Sequence, residues 1–368
     1  FTGSVKRSDP NDSSVTDRTG VELDYFGNRT IVFTYGNFSS TFSHTNVESA
    51  AKAGVICANT NASEIPPHFG TFTMSGTASG QTTYSWSPPG DCVAEVLVVA
   101  GGGGGGGVIS GGGGGGGLIL RPNVYVKGKD NTIKVGDGGL GATGWNTSRQ
   151  DGKVGSDSMF ETLTAKGGGG GVHHGGATSS TIKDGGSGGG GANQYSGAGG
   201  NTTQSSQSGD SGTYGYGHDG GDNGDGNWGS GGGGAGGVGG NTNRSTISGA
   251  GGVGKYIDFA RNYGDSGWFA GGGSGGTRAR GTISNGGKGG GGKGTTTSVL
   301  AEHGQEYTGG GGGGGGYNGS NSGQIGGNGG SGIVIVKFSL LYGKGPTAFP
   351  FLYGTTTDGL RFPTSVMD

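Results

Sequence analysis

Gly249 to Tyr256 (GAGGVGKY) comes nearest to a chemical signature in this chain. Gly249, Gly254 and Lys255 hold phosphate-loop spacing, but Tyr256 stands where a magnesium-binding hydroxyl is needed and no strand precedes it. At this glycine density such matches arise by chance. His173 and His174 are adjacent and could ligate a metal. They lack a cysteine or carboxylate at ligand spacing, and read as loop histidines. Asp219, Asp222 and Asp225 recur every three residues. In a helix of three residues per turn they form one row, which reads as a polar edge rather than a calcium ridge. No serine or cysteine nucleophile has a base in local context, so the expectation is no enzyme, no catalytic residue, no metal and no cofactor.

Two other residue sets concern export. Cys57 and Cys92 are the only cysteines. Paired, they would close a loop of about 36 residues, worth about 3–4 kcal/mol in the chain-entropy model, and a disulfide is expected. N-x-[ST] sequons start at Asn11, Asn28, Asn37, Asn61, Asn146, Asn201, Asn243 and Asn318, and read as glycosylation acceptors on an exported protein. Aromatics lying between glycine runs suit recognition, by stacking on sugars or receptor side chains. Tyr214, Tyr216 and Tyr263 are the candidate ligand-loop aromatics, whereas Trp228 and Trp268 read as caps on the glycine body.

The elements that must position these residues are unusual. Of 368 residues 103 are glycine, and the formal charge is −2. Glycine has no side chain to bury, so an ordinary core of this size is not expected. Only 9 prolines and the lack of a three-residue glycine repeat exclude collagen. The small net charge argues against a nucleic-acid partner, and no apolar run is long enough for a helical membrane span.

Composition divides the chain into a β-rich head (1–93), a glycine-rich body (94–338) and an apolar tail (339–368). RTIVFTY (29–35), FGTFTMS (69–75), TTYSWS (82–87), VAEVLVVA (93–100) and IVIVKF (333–338) read as strands. Between the last two the glycine runs recur at 101–107, 111–117, 167–171, 188–191, 231–234, 271–273, 289–292 and 309–316. Large apolar inserts such as Leu118-Ile119-Leu120 and Trp268-Phe269 have no use in a solvated linker. Glycine can instead act as the packing element. An extended helix of three residues per turn points its amides and carbonyls outward, and without side chains its neighbours can bond to it laterally. The expected fold is therefore mainly β and irregular, with almost no α-helix: a β-rich N-terminal unit and a polyglycine-II bundle bracketed by strands.

Four stretches in order carry a resemblance: TYSWSPPGDCVAEVLVVAGGGGGGG (83–107), NTIKVGDGGLGATG (131–144), DSMFETLTAKGGGGG (157–171) and GGNGGSGIVIVKF (326–338). Together they resemble the glycine-rich domain of tail-fibre and adhesin proteins of bacteriophages and large DNA viruses. The resemblance implies a fibre, spike or adhesin role, on a virion surface or outside a cell. The tail carries Phe349, Phe351, Leu352, Tyr353, Leu360, Phe362 and Val366, and is expected to dock on a neighbouring copy by strand addition. A head-to-tail contact of this kind propagates into a filament. The primary expectation is thus a self-assembling structural fibre. A tip adhesin that binds a receptor or surface glycans is the alternative.

Overall fold

The computed structural model describes residues 53–59, 70–143, 150–175, 180–192, 197–223, 228–242, 247–278, 281–296, 300–317 and 325–341, together with the strands at 29–35, 38–44, 354–355 and 361–362. It is mostly strand and extended chain. The α-helix among the described residues is limited to two single turns, α1 (Ser180–Lys183) and α2 (Asp210–Thr213).

The strands are β1 (Arg29–Tyr35), β2 (Phe38–His44), β3 (Ala53–Ala58), β4 (Thr71–Ala78), β5 (Gln81–Ser87), β6 (Cys92–Val99), β7 (Leu118–Val126), β8 (Asn131–Gly136), β9 (Ser158–Phe160) and β10 (Leu163–Ala165). The short β11 (Gly215–Tyr216), β12 (Lys255–Tyr256) and β13 (Trp268–Phe269) follow, then β14 (Ile333–Leu340), β15 (Gly354–Thr355) and β16 (Arg361–Phe362). Two five-stranded sheets, β10-β9-β8-β5-β4 and β11-β7-β6-β14-β3, form a sandwich, while β1–β2 and β15–β16 are separate antiparallel pairs.

Strand alternation explains the sandwich. On β5, Thr82, Tyr84 and Trp86 are buried while their neighbours are half-exposed. They meet Val96, Val98, Val334, Val336 and Phe338 from the facing sheet. Alternation ends beyond Glu95 because the second sheet is covered on both faces. Leu97, Val99, Ile333 and Ile335 point the other way, into a smaller cluster with Ile257, Ala260 and Phe269. The expected boundary at 93 does not separate two folding units. β5 pairs with β8, and β3 pairs with β14, so strands from both sides of that boundary share each sheet.

The glycine runs leave the sandwich as continuations of its strands and form the expected bundle. Along 101–107 the N–H donors cycle through three neighbours. Gly101, Gly104 and Gly107 donate to the carbonyls of Ser156, Lys153 and Gln150. Gly102 and Gly105 donate to Gly330 and Gly327, and Gly103 and Gly106 to Gly114 and Gly111. The carbonyls of the same run accept from three further segments: Gly168 and Gly171, Gly139 and Ala142, and Gly312 and Gly315. Each partner advances by three residues, which is the turn of a polyglycine-II helix. One extended chain is thereby bonded to six neighbours, where a strand in a sheet has two. Run 111–117 repeats the scheme with partners at 172/169/166, 230/233 and 312/309.

Close approach is what demands glycine here. A Cβ built at Gly103 would lie 2.0 Å from the carbonyl oxygen of Gly169, and one at Gly113 equally close to that of Gly103. The core of the bundle is therefore backbone, and its cohesion is lateral hydrogen bonding in place of side-chain burial.

The edges of this lattice are sealed by side chains. The outward amides of Gly199 and Thr202 donate to Asp222 Oδ1 and Asp219 Oδ1 at 2.9 and 2.6 Å. Gly141 donates to Asn328 Oδ1, Gly167 to Asp157 Oδ1 and Gly289 to Asp265 Oδ2. The three-residue spacing of Asp219 and Asp222 thus matches the spacing of the amides they accept, and Asp225 lies outside the described residues.

The expected disulfide is corrected. Cys57 and Cys92 are free thiols. Cys57 pairs across to Ile335 and Cys92 to Leu340, on opposite sides of β14. Two strand spacings and five residues of rise separate their Cα atoms by about 19 Å, against a limit of about 7 Å for a bridge. Burial pushes the Cys57 thiol up to about 12, and burial with the nearby Asp91 charge pushes Cys92 to about 11. Both are thiols, not thiolates, at neutral pH. Unreduced folded protein should resist iodoacetamide at pH 8 and take up two labels once denatured. A denatured chain that stays unlabelled without reductant would restore the disulfide.

Candidate functional site: the loop-bearing end of the glycine bundle

Hydrogen-bond levels fix which turns lie at which end. Gly101 leaves the sandwich directly after β6, so Gly107 is at the far end, level with Gln150, its acceptor. Val172 accepts there from Gly111, Gly276 donates there to Ser110, Tyr317 donates to Thr277, and Gly326 donates to Ala142. By the same levels the described segments that end at 143, 175, 192, 223, 242, 278, 296 and 317, and those that begin at 150, 180, 197, 228, 247, 281, 300 and 325, have these termini at the end opposite the β-sandwich.

The described residues at this end carry several polar features. Val108 and Ile109 form the tip between two glycine runs with φ of 57° and 45°, in the left-handed region that β-branched residues avoid. The Ser110 hydroxyl closes that tip on the Gly106 carbonyl at 2.5 Å. His173 meets Asp151 twice: its backbone N–H donates to Oδ1 at 2.8 Å, and its ring Nδ1 lies 2.7 Å from the same oxygen. The pair is nearly buried, with 12% and 9% side-chain exposure, and ties two glycine helices together at their ends. The carboxylate missing from the local sequence around His173 is therefore supplied from 22 residues away. No third ligand completes it, since no group of three metal-binding side chains exists among the described residues.

Trp228 bridges to Thr277 across the same end. Its indole Nε1, the Thr277 hydroxyl and the Asn223 carboxamide oxygen are buried without a hydrogen-bond partner among the described residues. Gly281 fits between the first two: a Cβ there would stand 2.7 Å from Nε1 and 2.8 Å from Thr277 Oγ1. Arg278 lies over the Tyr317 ring at 5.4 Å. Polar groups without a partner among the described residues and a cation–aromatic pair thus sit together at this end, beside Asn223, Trp228, Arg278 and Gly281.

The aromatics singled out from sequence lie at the other end. Tyr214 packs against the sandwich core with the Arg121 guanidinium 4.4 Å over its ring. Tyr216 belongs to β11, packs on the second cluster and holds Lys255 Nζ 3.8 Å above its ring. Tyr263 joins that cluster, and burial, then proximity to Cys57, raises its hydroxyl above the usual tyrosine range. Tyr214 therefore closes the edge of the sandwich core, and Tyr216 and Tyr263 cover the outer face of the second sheet.

Of the sequons only Asn201 is described. It is exposed, with its N–H donated to Asp184 Oδ1 at 2.7 Å. Asn11, Asn28, Asn37, Asn61, Asn146, Asn243 and Asn318 lie outside the described residues. So do Phe349, Phe351, Leu352, Tyr353, Leu360 and Val366, while Phe362 is placed in β16, opposite Gly354. In 249–256 the amides of Gly249, Gly251, Gly252 and Gly254 are donated to neighbouring helices, which leaves no cradle of free N–H groups for a phosphate. No helix among the described residues is long and apolar enough to cross a membrane.

No curated protein is similar enough to this chain to count as a match. A family described as Glycine-rich domain matches residues 77–339, from within β4 to within β14, and so takes in the whole bundle and both sheets except β3 and most of β4. With most of its length matched in this way, the chain belongs to the glycine-rich domain family.

Proposed function

We propose that this chain is a non-enzymatic fibre protein of a virion surface or the extracellular space, of the tail-fibre and adhesin kind. In this reading the glycine bundle is a rigid stalk, and its loop-bearing end recognises a receptor or surface glycan. The observation that carries it is the gathering of the described segments' termini, with the Val108–Ile109 tip, at one end of a scaffold held by backbone hydrogen bonds. Binding residues commonly sit on loops positioned by a rigid framework. A lattice with six-fold lateral bonding is such a framework, because replacing a loop leaves its hydrogen bonds intact. Exchanging 144–149, 193–196 and 224–227 for Gly-Ser segments should abolish binding to glycan arrays and cells while leaving the melting temperature unchanged. Retained binding would refute the reading.

A second reading, assembly of the same chain into a head-to-tail filament, is favoured by the sandwich edges that carry no further strand among the described residues. β3 and β4 are edge strands, and β14 leads towards the apolar tail from the end of the sandwich away from the bundle. A donated tail strand could complete such an edge in the next copy. Removing 342–368 should leave folded protein that no longer forms filaments in electron micrographs. Filaments of unaltered length from the shortened chain would exclude this contact.

A further inference from the structure

Asn285-Gly286 and Asn328-Gly329 are Asn-Gly pairs that lie wholly within the described residues. Asparagine before glycine can close a ring on its own chain, because glycine has no side chain to shield the amide nitrogen that must attack the carboxamide. Both asparagines are exposed, so exposure does not separate them. Hydrogen bonding does. Asn328 is held on every side. Its Oδ1 accepts from the Gly141 N–H at 2.8 Å, and its own N–H is donated to His303 Nδ1 at 2.8 Å. Its carbonyl accepts from Gly304 at 2.7 Å, and the Gly329 N–H is donated to the Gly139 carbonyl at 2.8 Å. The carboxamide and the amide nitrogen that ring closure needs are thus both engaged in lattice bonds.

Asn285 precedes glycine in the same way, but its reacting groups are not held. The chain is anchored on either side of it. Ser284 donates its N–H to Ser248 Oγ at 3.0 Å and its hydroxyl to the Ser248 carbonyl at 2.5 Å, and Gly287 donates to Gly272 at 2.8 Å. Asn285 itself gives the lattice its carbonyl, which accepts from Gly251 at 3.1 Å. Among the described residues neither its carboxamide nor the Gly286 N–H has a hydrogen-bond partner. An unengaged electrophile and an unengaged nucleophile one residue apart therefore lie between two fixed points.

We propose that Asn285 is a site of spontaneous covalent modification, which converts in the folded protein to aspartate and isoaspartate, while the lattice preserves Asn328. The Gly286 nitrogen gives up its proton to hydroxide and forms a bond to Asn285 Cγ. The Cγ–Nδ2 bond breaks, and Nδ2 takes a proton from water and leaves as ammonia. Water then opens the cyclic imide. Attack at Cγ gives aspartate, and attack at the main-chain carbonyl gives isoaspartate. The sum is a carboxamide and water giving a carboxylic acid and ammonia, with water as the sole co-reactant. Either product adds a negative charge to a chain whose formal charge is −2. Isoaspartate also lengthens the main chain by a methylene, which puts it out of phase with the three-residue turn that pairs this segment with Gly251 and Gly272. The reaction is independent of the proposed recognition role.

Peptide mapping by mass spectrometry on the full chain, aged at pH 8 and 37 °C, should find Asn285 converted to the acid and its isomer. Asn328 should convert about 100-fold more slowly, because several lattice bonds must open before its ring can close. In urea, where the lattice is gone, the two asparagines should convert at matching rates, which assigns the difference to the fold. Asn285 surviving in the folded protein while it converts in urea would overturn the proposal. So would Asn328 keeping pace with Asn285 in the folded protein.

Discussion

Gly113→Ala is expected to destabilise the protein by about 3–5 kcal/mol and to lower its melting temperature by about 4–9 °C. Gly113 lies in the bundle interior, donating to Gly312 at 2.8 Å and accepting from Gly273 at 2.9 Å. The added methyl would stand 2.0 Å from the Gly103 carbonyl oxygen, a backbone atom that cannot rotate away. Relief requires neighbouring helices to part by more than about 1 Å, which lengthens the lateral bonds on both. Overpacking alone costs about 1–3 kcal/mol, and each bond lost about 1 more. The entropy removed from the unfolded chain by Ala, about 0.4–1 kcal/mol, does not offset this. Gly90→Ala is the control: its nearest neighbour would be Leu340 Cδ2 at 3.9 Å, and the change should stay within about 0.5 kcal/mol. Thermal melts of the two variants side by side separate close approach from a general cost of losing glycine.

Trp86→Ala should cost about 3–5 kcal/mol by opening a large cavity in the sandwich. Trp86 is fully buried and its ring lies 5.3 Å from that of Phe338 on β14. β14 and β6 also launch two of the glycine segments, 325–332 and 101–107, so the packing that holds these strands sets the start of the lattice. Denaturant unfolding of the variant should therefore move the loss of amide protection in β6 and β14 and the loss of glycine amide protection together. A variant whose bundle stays protected at wild-type levels while the sandwich melts would show two independent units.

The strands were legible because they obey a two-residue period. RTIVFTY became β1 unchanged, and the runs around Tyr84, Val96 and Ile335 became β5, β6 and β14. The bundle was legible from glycine runs interrupted by large apolar groups. Long-range pairing was not. Nothing local in 53–58 or 81–87 states that these segments join strands beyond residue 93, so the head seemed separate and the two cysteines seemed partners. Tyr214, Tyr216 and Tyr263 were misplaced because an aromatic beside glycine reads alike whether it covers a sheet or tips a loop. The partnership of His173 with Asp151 is a tertiary contact without a local signal.

The central claim is that backbone hydrogen bonds, not side chains, form the interior of this protein, and amide hydrogen exchange tests it most directly. Glycines 101–107 and 111–117, whose N–H groups are all donated within the bundle, should be protected to the same free energy as β6 and β14. Exchange of these runs at the rate of an unstructured glycine chain would contradict the account.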